Sequence, residues 1–163
     1  MLAAAVARDL KQPPVYVRGY GMATTLAGSM FPPDDFWRTS MRKAGEKSFR
    51  MAGVTPADVS TLMIYDNFTP TVLFSLEGYG YCGEGESGPF VAEGHLALGG
   101  RYPTNTSGGH LSESYMQGWA LNLEAVLQVR GQCGERQVKD CALAHYMAAA
   151  PVVTSIIYGR EPS

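Results

Sequence analysis

The sequence has little of what would mark a disulfide-rich or zinc-binding protein. Three of its 163 residues are cysteine, at positions 82, 133 and 141, and no two of them have the CxxC spacing. This scarcity argues against both a disulfide framework and a zinc knuckle. We therefore expect reduced thiols and a cytoplasmic protein.

Charge is also sparse and nearly balanced. Charged residues make up 17% of the chain and the formal net charge is -2 at pH 7, so the basic surplus that nucleic acid or an anionic membrane attracts is missing. No apolar run approaches the roughly 18 to 20 residues that a membrane-spanning helix needs. The first eight residues lack a basic leader and are too short for a secretory core. We expect a soluble protein without a signal peptide, and the abrupt apolar start suggests part of a longer chain.

The sequence does contain an alternation of strand-like and helix-like segments. Helical spacing of apolar residues and short runs rich in β-branched residues mark them. In chain order the sequence predicts a strand at 14–21, a helix at 34–51, a strand at 61–65, a helix at 69–76, a glycine-rich loop at 79–101, a helix at 117–130, and closing strands at 141–144 and 152–158 joined by a corner at 145–151. This order predicts one α/β domain over residues 1–163. Its sheet is expected to be mixed and largely parallel, with strand 61–65 central and helices on both faces.

Two tyrosines stand at the ends of these predicted elements and are candidates for chemistry. Tyr65 follows the strand at 61–65 and precedes a helix start, while Tyr115 lies between a Gly-Gly corner and the helix at 117–130. A phenol near a hydrogen-bond donor can exchange a proton with an alcohol or an enolate. Each tyrosine can equally be a core aromatic that hydrogen-bonds at its rim. The residues alone leave both interpretations open.

The other polar candidates carry weaker signals. Asp66 and Asn67 either orient a substrate or form a turn and helix cap. His110 and His145 lack the i, i+4 spacing of a helical metal-ligand pair, so we expect no metal site and take both, with Asn67, as candidate substrate contacts. Backbone amides of the segment Asn105-Thr106-Ser107-Gly108-Gly109 could cradle a phosphate, although the lysine of a P-loop is missing.

Taken together, these segments resemble the C-terminal half of the thiolase superfamily, in its sterol-carrier-type "lipid transfer" branch. The resemblance covers nearly the whole chain. It rests on four motifs, namely Val54-Thr55-Pro56-Ala57-Asp58-Val59, Tyr65-Asp66-Asn67-Phe68, Cys82-Gly83-Glu84-Gly85 and Asn105-Thr106-Ser107-Gly108-Gly109. The resemblance implies a layered, five-stranded half of a doubled fold whose N-terminal half is absent from this chain. It also implies acyl-CoA substrates and dimers.

The departures from the thiolase pattern fall on its catalytic positions. Tyr115 stands where thiolases carry the histidine of a Gly-His-Pro triplet, which activates a nucleophilic cysteine. Tyr65 replaces the asparagine or histidine that helps to hold the thioester oxygen. The stretch His145-Tyr146-Met147 matches the Cys-x-Gly motif that supplies an acid–base cysteine. Claisen chemistry therefore lacks its usual residues in this chain.

Tyrosines at these two positions resemble the thiolase-like aldolases of steroid side-chain breakdown. That resemblance implies retro-aldol cleavage of a β-hydroxyacyl-CoA to a ketone and a shorter acyl-CoA, with Tyr65 and Tyr115 as the catalytic residues. It also implies a homodimer that works with an OB-fold acyl-CoA-binding protein. Coenzyme A enters only as part of the substrate, and no other cofactor is expected. The alternatives are a non-catalytic acyl-CoA- or lipid-binding module and an atypical thiolase.

Overall fold

Strands and helices alternate along the computed structural model, which describes residue 6 and residues 9–24 and 33–162. The strands of these ranges are β1 (Tyr16–Thr24), β2 (Thr61–Ile64), β3 (Leu143–Ala148) and β4 (Val152–Gly159). The helices that bear on the sheet and the site are α1 (Arg38–Ala52), α2 (Thr69–Gly78), α3 (Ser87–Ala92) and α4 (Trp119–Arg130), with 3-10 turns at Pro56–Asp58 and Gly134–Arg136. The two long helices begin and end within a few residues of their predicted bounds.

The four strands form one mixed sheet in the order β1-β4-β3-β2. β4 runs antiparallel to both β1 and β3, and only β2 and β3 are parallel. The expectations of a largely parallel sheet and of a central β2 are therefore wrong, and the described ranges contain four strands where the resemblance implies five. The short connection from β3 to β4 explains why these two strands are antiparallel. It spans only residues 149–151, which suffices for an antiparallel hairpin but not for a parallel crossover.

β2 is fully buried although it lies at the end of the sheet. The backbone of a loop segment runs beside it: the N–H of Leu62 donates to the Pro103 carbonyl at 3.0 Å, and the N–H of Asn105 donates to the Leu62 carbonyl at 2.9 Å. The Asn105 amide extends this pairing, since its Oδ1 accepts the N–H of Ile64 at 2.8 Å and its Nδ2 donates to the Ile64 carbonyl at 2.9 Å. The loop thus satisfies backbone groups that burial would otherwise leave unpaired.

Helices cover both faces of the sheet, as predicted. α1 packs over β1 and β4, where Met41, Ala44 and Ile157 are fully buried. α4 covers the opposite face over β2 and β3, with Leu121 and Ala125 in its core. We call these the α1 face and the α4 face. Across the described ranges, no helix has the length and apolar composition needed to cross a membrane.

Substitution of Asn105 by alanine should loosen the edge of β2. The change removes both side-chain hydrogen bonds to Ile64 and places alanine at a φ of 49°, in the left-handed region. We expect N105A to lower the free energy of unfolding by about 2 to 4 kcal/mol. N105G loses the same bonds but tolerates the backbone angle, so its loss should be about 1 kcal/mol smaller. Urea denaturation measures both, and an N105A variant as stable as the wild type would contradict this role.

Candidate active site

Tyr65 stands where β2 ends and the chain turns towards α2. Its backbone N–H donates to the Met147 carbonyl at 2.8 Å, which continues the β2–β3 pairing by one residue. Side chains alternate along a strand, so Tyr65 lies on the same face as Met63. There it packs, half-buried, against the core cluster of the α4 face. The phenol is therefore held by the sheet while part of its ring stays accessible.

The loop that follows Asn105 brings His110 and Tyr115 to Tyr65. The centroid of the His110 ring is 4.9 Å from that of Tyr65 and 4.7 Å from that of Tyr115. The imidazole thus contacts both phenol rings. Tyr115 is 77% exposed and forms the open side of the group. We call Tyr65, His110 and Tyr115 the ring triplet; the fold brings the two loop residues to a tyrosine that is distant from them in the sequence.

A buried carboxylate holds this loop against the end of β2. Asp66 is 6% exposed, and its Oδ1 accepts the backbone N–H of His110 at 2.7 Å. The N–H of Leu111 faces Oδ2 at the longer distance of 3.5 Å. Gly109 has a φ of 75°, and a Cβ at that position would overlap the Asp66 carboxylate. Asp66 therefore positions His110, a role that its place in a predicted turn does not reveal.

The surroundings of Tyr65 favour its protonated form. Burial raises the pKa of its phenol above the ordinary value of 10.0, and the neighbouring Tyr115 phenol and Asp66 carboxylate raise it further. At neutral pH Tyr65 is thus a neutral phenol. Such a group is able to donate a proton, and it must first lose that proton before it acts as a base.

A buried carboxylate, Glu124, paired with the partly exposed Arg136, anchors the loop from the side of α4. The hydroxyl of Thr106 donates to Glu124 Oε1 at 2.7 Å, and Arg136 donates to the two oxygens of the same carboxylate at 3.0 and 3.2 Å. Burial alone would raise the pKa of Glu124, but hydrogen bonds from Arg136, Thr106 and Gln128 lower it below its ordinary value. The carboxylate therefore stays charged and keeps its partners in place.

Asn67 takes part in the turn that begins α2. The hydroxyl of Thr71 lies 3.2 Å from Asn67 Oδ1 and donates to the Phe68 carbonyl at 2.6 Å. The Asn67 side chain is half-buried. This contact is the turn role that the sequence left open, and a contact between Asn67 and a substrate stays a prediction.

His145, the third candidate substrate contact, lies apart from the ring triplet. It belongs to β3, which runs on to Ala148, and its side chain is fully buried on the α1 face. Its Nδ1 lies 2.6 Å from the Tyr81 hydroxyl and its Nε2 lies 2.7 Å from Ser155 Oγ. Both ring nitrogens thus have partners inside the core. The alternation of β3 side chains points His145 away from the face that carries Tyr65.

The cysteines show no sign of a reactive thiolate. All three are free; Cys133 and Cys141 are buried and Cys82 is half-buried. Burial raises the pKa of Cys82 and Cys133 to about 11 and that of Cys141 to about 12. In the part of the chain that the structure describes, no three His, Cys, Asp or Glu side chains are grouped so that they could hold a metal ion.

Comparison with known proteins shows the family to which this fold and site belong. Residues 23–158 match the family described as Thiolase C-terminal domain-like. The chain belongs to this family. The match confirms the resemblance drawn from the four motifs.

The relatives within and around this family are more specific. The chain is 41% identical to a 17-hydroxy-3-oxo-4-pregnene-20-carboxyl-CoA lyase of Mycobacterium tuberculosis over 132 aligned residues. This alignment covers 78% of this chain and 34% of the lyase. It is 38% identical to a steroid side-chain-cleaving aldolase of Thermomonospora curvata over 129 aligned residues. This alignment covers 77% of this chain and 33% of the aldolase. The solved structure of the Ltp2-ChsH2(DUF35) aldolase is similar with a TM-score of 0.84 at 32% identity, over 96% of this chain and 42% of that chain. The chain thus spans about a third of the length of these two curated relatives.

Alanine at Gly109 should push the loop away from Asp66. The added Cβ overlaps the carboxylate, and the φ of 75° disfavours any side chain. We expect G109A to lower the free energy of unfolding by about 2 to 4 kcal/mol. Gly131 offers a matched control, since its φ of 74° is similar while nothing lies near its Cβ position. G131A should lose only about 1 kcal/mol in the same denaturation experiment, and equal losses in the two variants would argue against the Asp66 contact.

The stability of the fold should decrease as the pH falls below the unfolded-state pKa of His145. Burial lowers the pKa of this imidazole from 6.5 to about 3 in the folded protein. Between these values the unfolded chain binds a proton that the folded chain does not. The stabilising contribution is therefore complete above about pH 6.5 and is lost towards pH 3, at up to about 1.4 kcal/mol per pH unit.

The variant H145Q isolates this effect because glutamine does not titrate. Urea unfolding at several values between about pH 7 and pH 5 should show a steeper loss of stability in the wild type than in H145Q. Parallel pH dependences for the two proteins would show that His145 is not the group responsible.

Proposed function

We propose that this chain supplies the acid–base site of an acyl-CoA carbon–carbon lyase. The reaction is retro-aldol cleavage of a β-hydroxyacyl-CoA that forms the side chain of a steroid. It yields a ketone and a shorter acyl-CoA. The ring triplet carries the proposal, because two phenols there flank one imidazole at the end of β2. Relatives whose names specify a CoA lyase and a steroid side-chain-cleaving aldolase support it.

Retro-aldol cleavage needs a base and an acid but no covalent intermediate. The base removes the proton of the β-hydroxyl, the bond between Cα and Cβ breaks, and its electron pair passes into the thioester as an enolate. The acid then protonates Cα. Protons and electrons balance within the substrate and the two side chains, so no redox partner is required. Two phenols are enough for both proton transfers.

Tyr65 suits the acid role and Tyr115 the base role in this proposal. Burial and its neighbours raise the pKa of Tyr65, so it enters the reaction with its proton. Tyr115 is the other phenol in contact with His110. The Nδ1 of His110 is shielded from solvent and has no hydrogen-bond partner among the described residues, as expected of an atom that a bound substrate satisfies. His110 therefore serves as a substrate contact between the two phenols.

We further propose that other protein surfaces complete the site. Three aromatic side chains in or close in sequence to the triplet are largely exposed: Phe68 by 67%, Tyr115 by 77% and Trp119 by 73%. Exposed aromatic residues of this kind are typical of interfaces. A homodimer and an OB-fold acyl-CoA-binding partner are the proposed occupants, and the structurally similar aldolase carries two component names, Ltp2 and ChsH2(DUF35). A cytoplasmic location and the absence of cofactors other than the substrate's coenzyme A belong to the same proposal.

A non-catalytic acyl-CoA- or lipid-binding module is the second candidate. The exposure of Tyr115 favours it, because proton transfer is most effective in a site from which water is excluded. An atypical thiolase fits less well. Tyr115 and His145 occupy the positions of its histidine and of its acid–base cysteine, and His145 is enclosed in the core.

Phenylalanine at Tyr65 or at Tyr115 should stop cleavage without unfolding the protein. Each substitution keeps the ring and deletes only the hydroxyl, so turnover should fall roughly 100- to 10,000-fold. The free energy of unfolding should change by about 1 kcal/mol or less. The measurement is single-turnover release of ketone from a tertiary β-hydroxyacyl-CoA by the complete enzyme with its partner, together with thermal unfolding of each variant.

Y20F is the matched control for these variants. Tyr20 is 51% exposed on β1, where the Lys47 amine lies 5.4 Å from its ring centroid, and its substitution should leave cleavage unchanged. Unchanged cleavage by Y65F and Y115F as well would exclude the acid–base mechanism. A wild-type enzyme that binds the acyl-CoA but releases no ketone would favour the binding module.

A further inference from the structure

A third phenol lies on the same face of the sheet as Tyr65. Tyr146 occupies the middle position of the stretch that matches Cys-x-Gly, a position to which the motif assigns no role. In the parallel register of β2 and β3 it pairs with Met63, and Tyr65 is two residues beyond Met63. Alternation along the strands therefore places the side chains of Met63, Tyr65 and Tyr146 on the α4 face. Tyr146 is a diagonal neighbour of Tyr65, within the reach of an aromatic side chain.

The packing of Tyr146 directs its hydroxyl towards the start of α4. Tyr146 is 7% exposed and belongs to the core cluster against which Tyr65 packs. A Cβ at Gly118 would overlap the Tyr146 hydroxyl, and Gly118 has a φ of 86°. Gly118 immediately precedes α4 and follows Tyr115 by three positions. The Tyr146 hydroxyl therefore lies beside the loop that carries Tyr115 and on the sheet face that carries Tyr65.

Asn122 of α4 lies close to this hydroxyl. Tyr158 donates to Asn122 Oδ1 at 2.7 Å, and Asn122 Nδ2 donates to the Gly118 carbonyl at 2.8 Å. Asn122 also acts on Tyr146, because its amide lowers the pKa of that phenol. Because Asn122 Oδ1 already accepts from Tyr158, the hydroxyl proton of Tyr146 is available to another acceptor.

Tyr146 keeps that proton when Tyr65 ionises. Burial, followed by the charge of an ionised Tyr65 and then of Tyr158, raises the pKa of Tyr146 to about 12. The two phenols are thus close enough for the charge of one to act on the other. With Tyr65 as the phenolate, Tyr146 remains a neutral hydrogen-bond donor.

We propose that Tyr146 is a positioning residue that donates a hydrogen bond to the Tyr65 phenolate left after Tyr65 has protonated the enolate. This inference deepens the proposed function and rests on the acid role of Tyr65. A donor that stabilises the conjugate base makes Tyr65 a stronger acid without touching the substrate. The groups that face Tyr65 are then Tyr146 from β3, Tyr115 and His110 from the loop, and Asp66 next to it.

The variant Y146F tests the inference with Tyr65 itself as the reporter. NMR of the intact protein with 13Cζ-labelled tyrosine follows the ionisation of Tyr65 directly. Loss of the Tyr146 hydroxyl should raise the pKa of Tyr65 by about one unit, and a shift of this size corresponds to a cleavage rate lowered by up to about tenfold. The alkaline limb of the pH profile for cleavage should move to higher pH by the same amount.

Y102F is the matched control. Tyr102 is also 7% exposed, but it belongs to the core of the α1 face, so its substitution should leave the titration of Tyr65 and the pH profile unchanged. N122L provides a second test in case Y146F folds poorly. It removes the amide that lowers the pKa of Tyr146, which makes Tyr146 a weaker donor, and should therefore raise the pKa of Tyr65 by less than one unit.

The outcomes separate this inference from the proposed function. If Y146F leaves the pKa of Tyr65 and the pH profile unchanged, or lowers that pKa, while Y65F still abolishes cleavage, the role of Tyr146 is wrong and the lyase proposal stands. If Y65F cleaves normally, the lyase proposal fails whatever Y146F shows. A raised pKa of Tyr65 in Y146F, with the alkaline shift in cleavage, supports both.

Discussion

The contacts that hold residues 105–111 against the end of β2 are the constraint on which the site depends. Asp66 accepts the backbone N–H of His110, and the Asn105 amide pairs with both backbone groups of Ile64. The loop has no strand of its own, and β2 has a buried edge that needs partners. The loop is therefore fixed by its hydrogen bonds to β2, and the buried edge of β2 finds its hydrogen-bond partners in the loop. Because Tyr65 precedes Asp66 directly, one buried carboxylate sets the position of the imidazole relative to the first phenol.

The sequence predicts the helices of this fold better than the order of its strands. α1 and α4 follow from apolar periodicity and from the glycines that end them, which are local signals. The edge position of β2 could not be predicted in this way. A continuous apolar run shows that a strand is buried, but it does not show whether a strand or an asparagine side chain covers its edge. The sequence predicts that β3 ends before His145, because a polar histidine is unusual inside a buried strand. In the structure Tyr81 and Ser155 hydrogen-bond both of its ring nitrogens, and the local sequence does not reveal these partners.

The candidate site shows the same division between local and distant information. Tyr65 and Tyr115 are recognisable because each stands at the boundary of a predicted element, and the resemblance to thiolases places both at catalytic positions. Their meeting at His110 depends on the fold of the loop, which glycine-rich sequence leaves undetermined. Tyr146 carries no sequence signal at all. Its interest comes only from the β2–β3 register, which makes it a neighbour of Tyr65.

The central claim is that the phenols of Tyr65 and Tyr115 face the bond that breaks. The most direct measurement is a structure of the complete enzyme with a substrate analogue that keeps the β-hydroxyl but has a methylene group in place of the thioester carbonyl, so that no enolate can form. The account predicts the β-oxygen within about 3 Å of one phenol oxygen and Cα within about 4 Å of the other, with His110 between them. An analogue bound with both atoms remote from these phenols, or bound on the α1 face, would contradict the account.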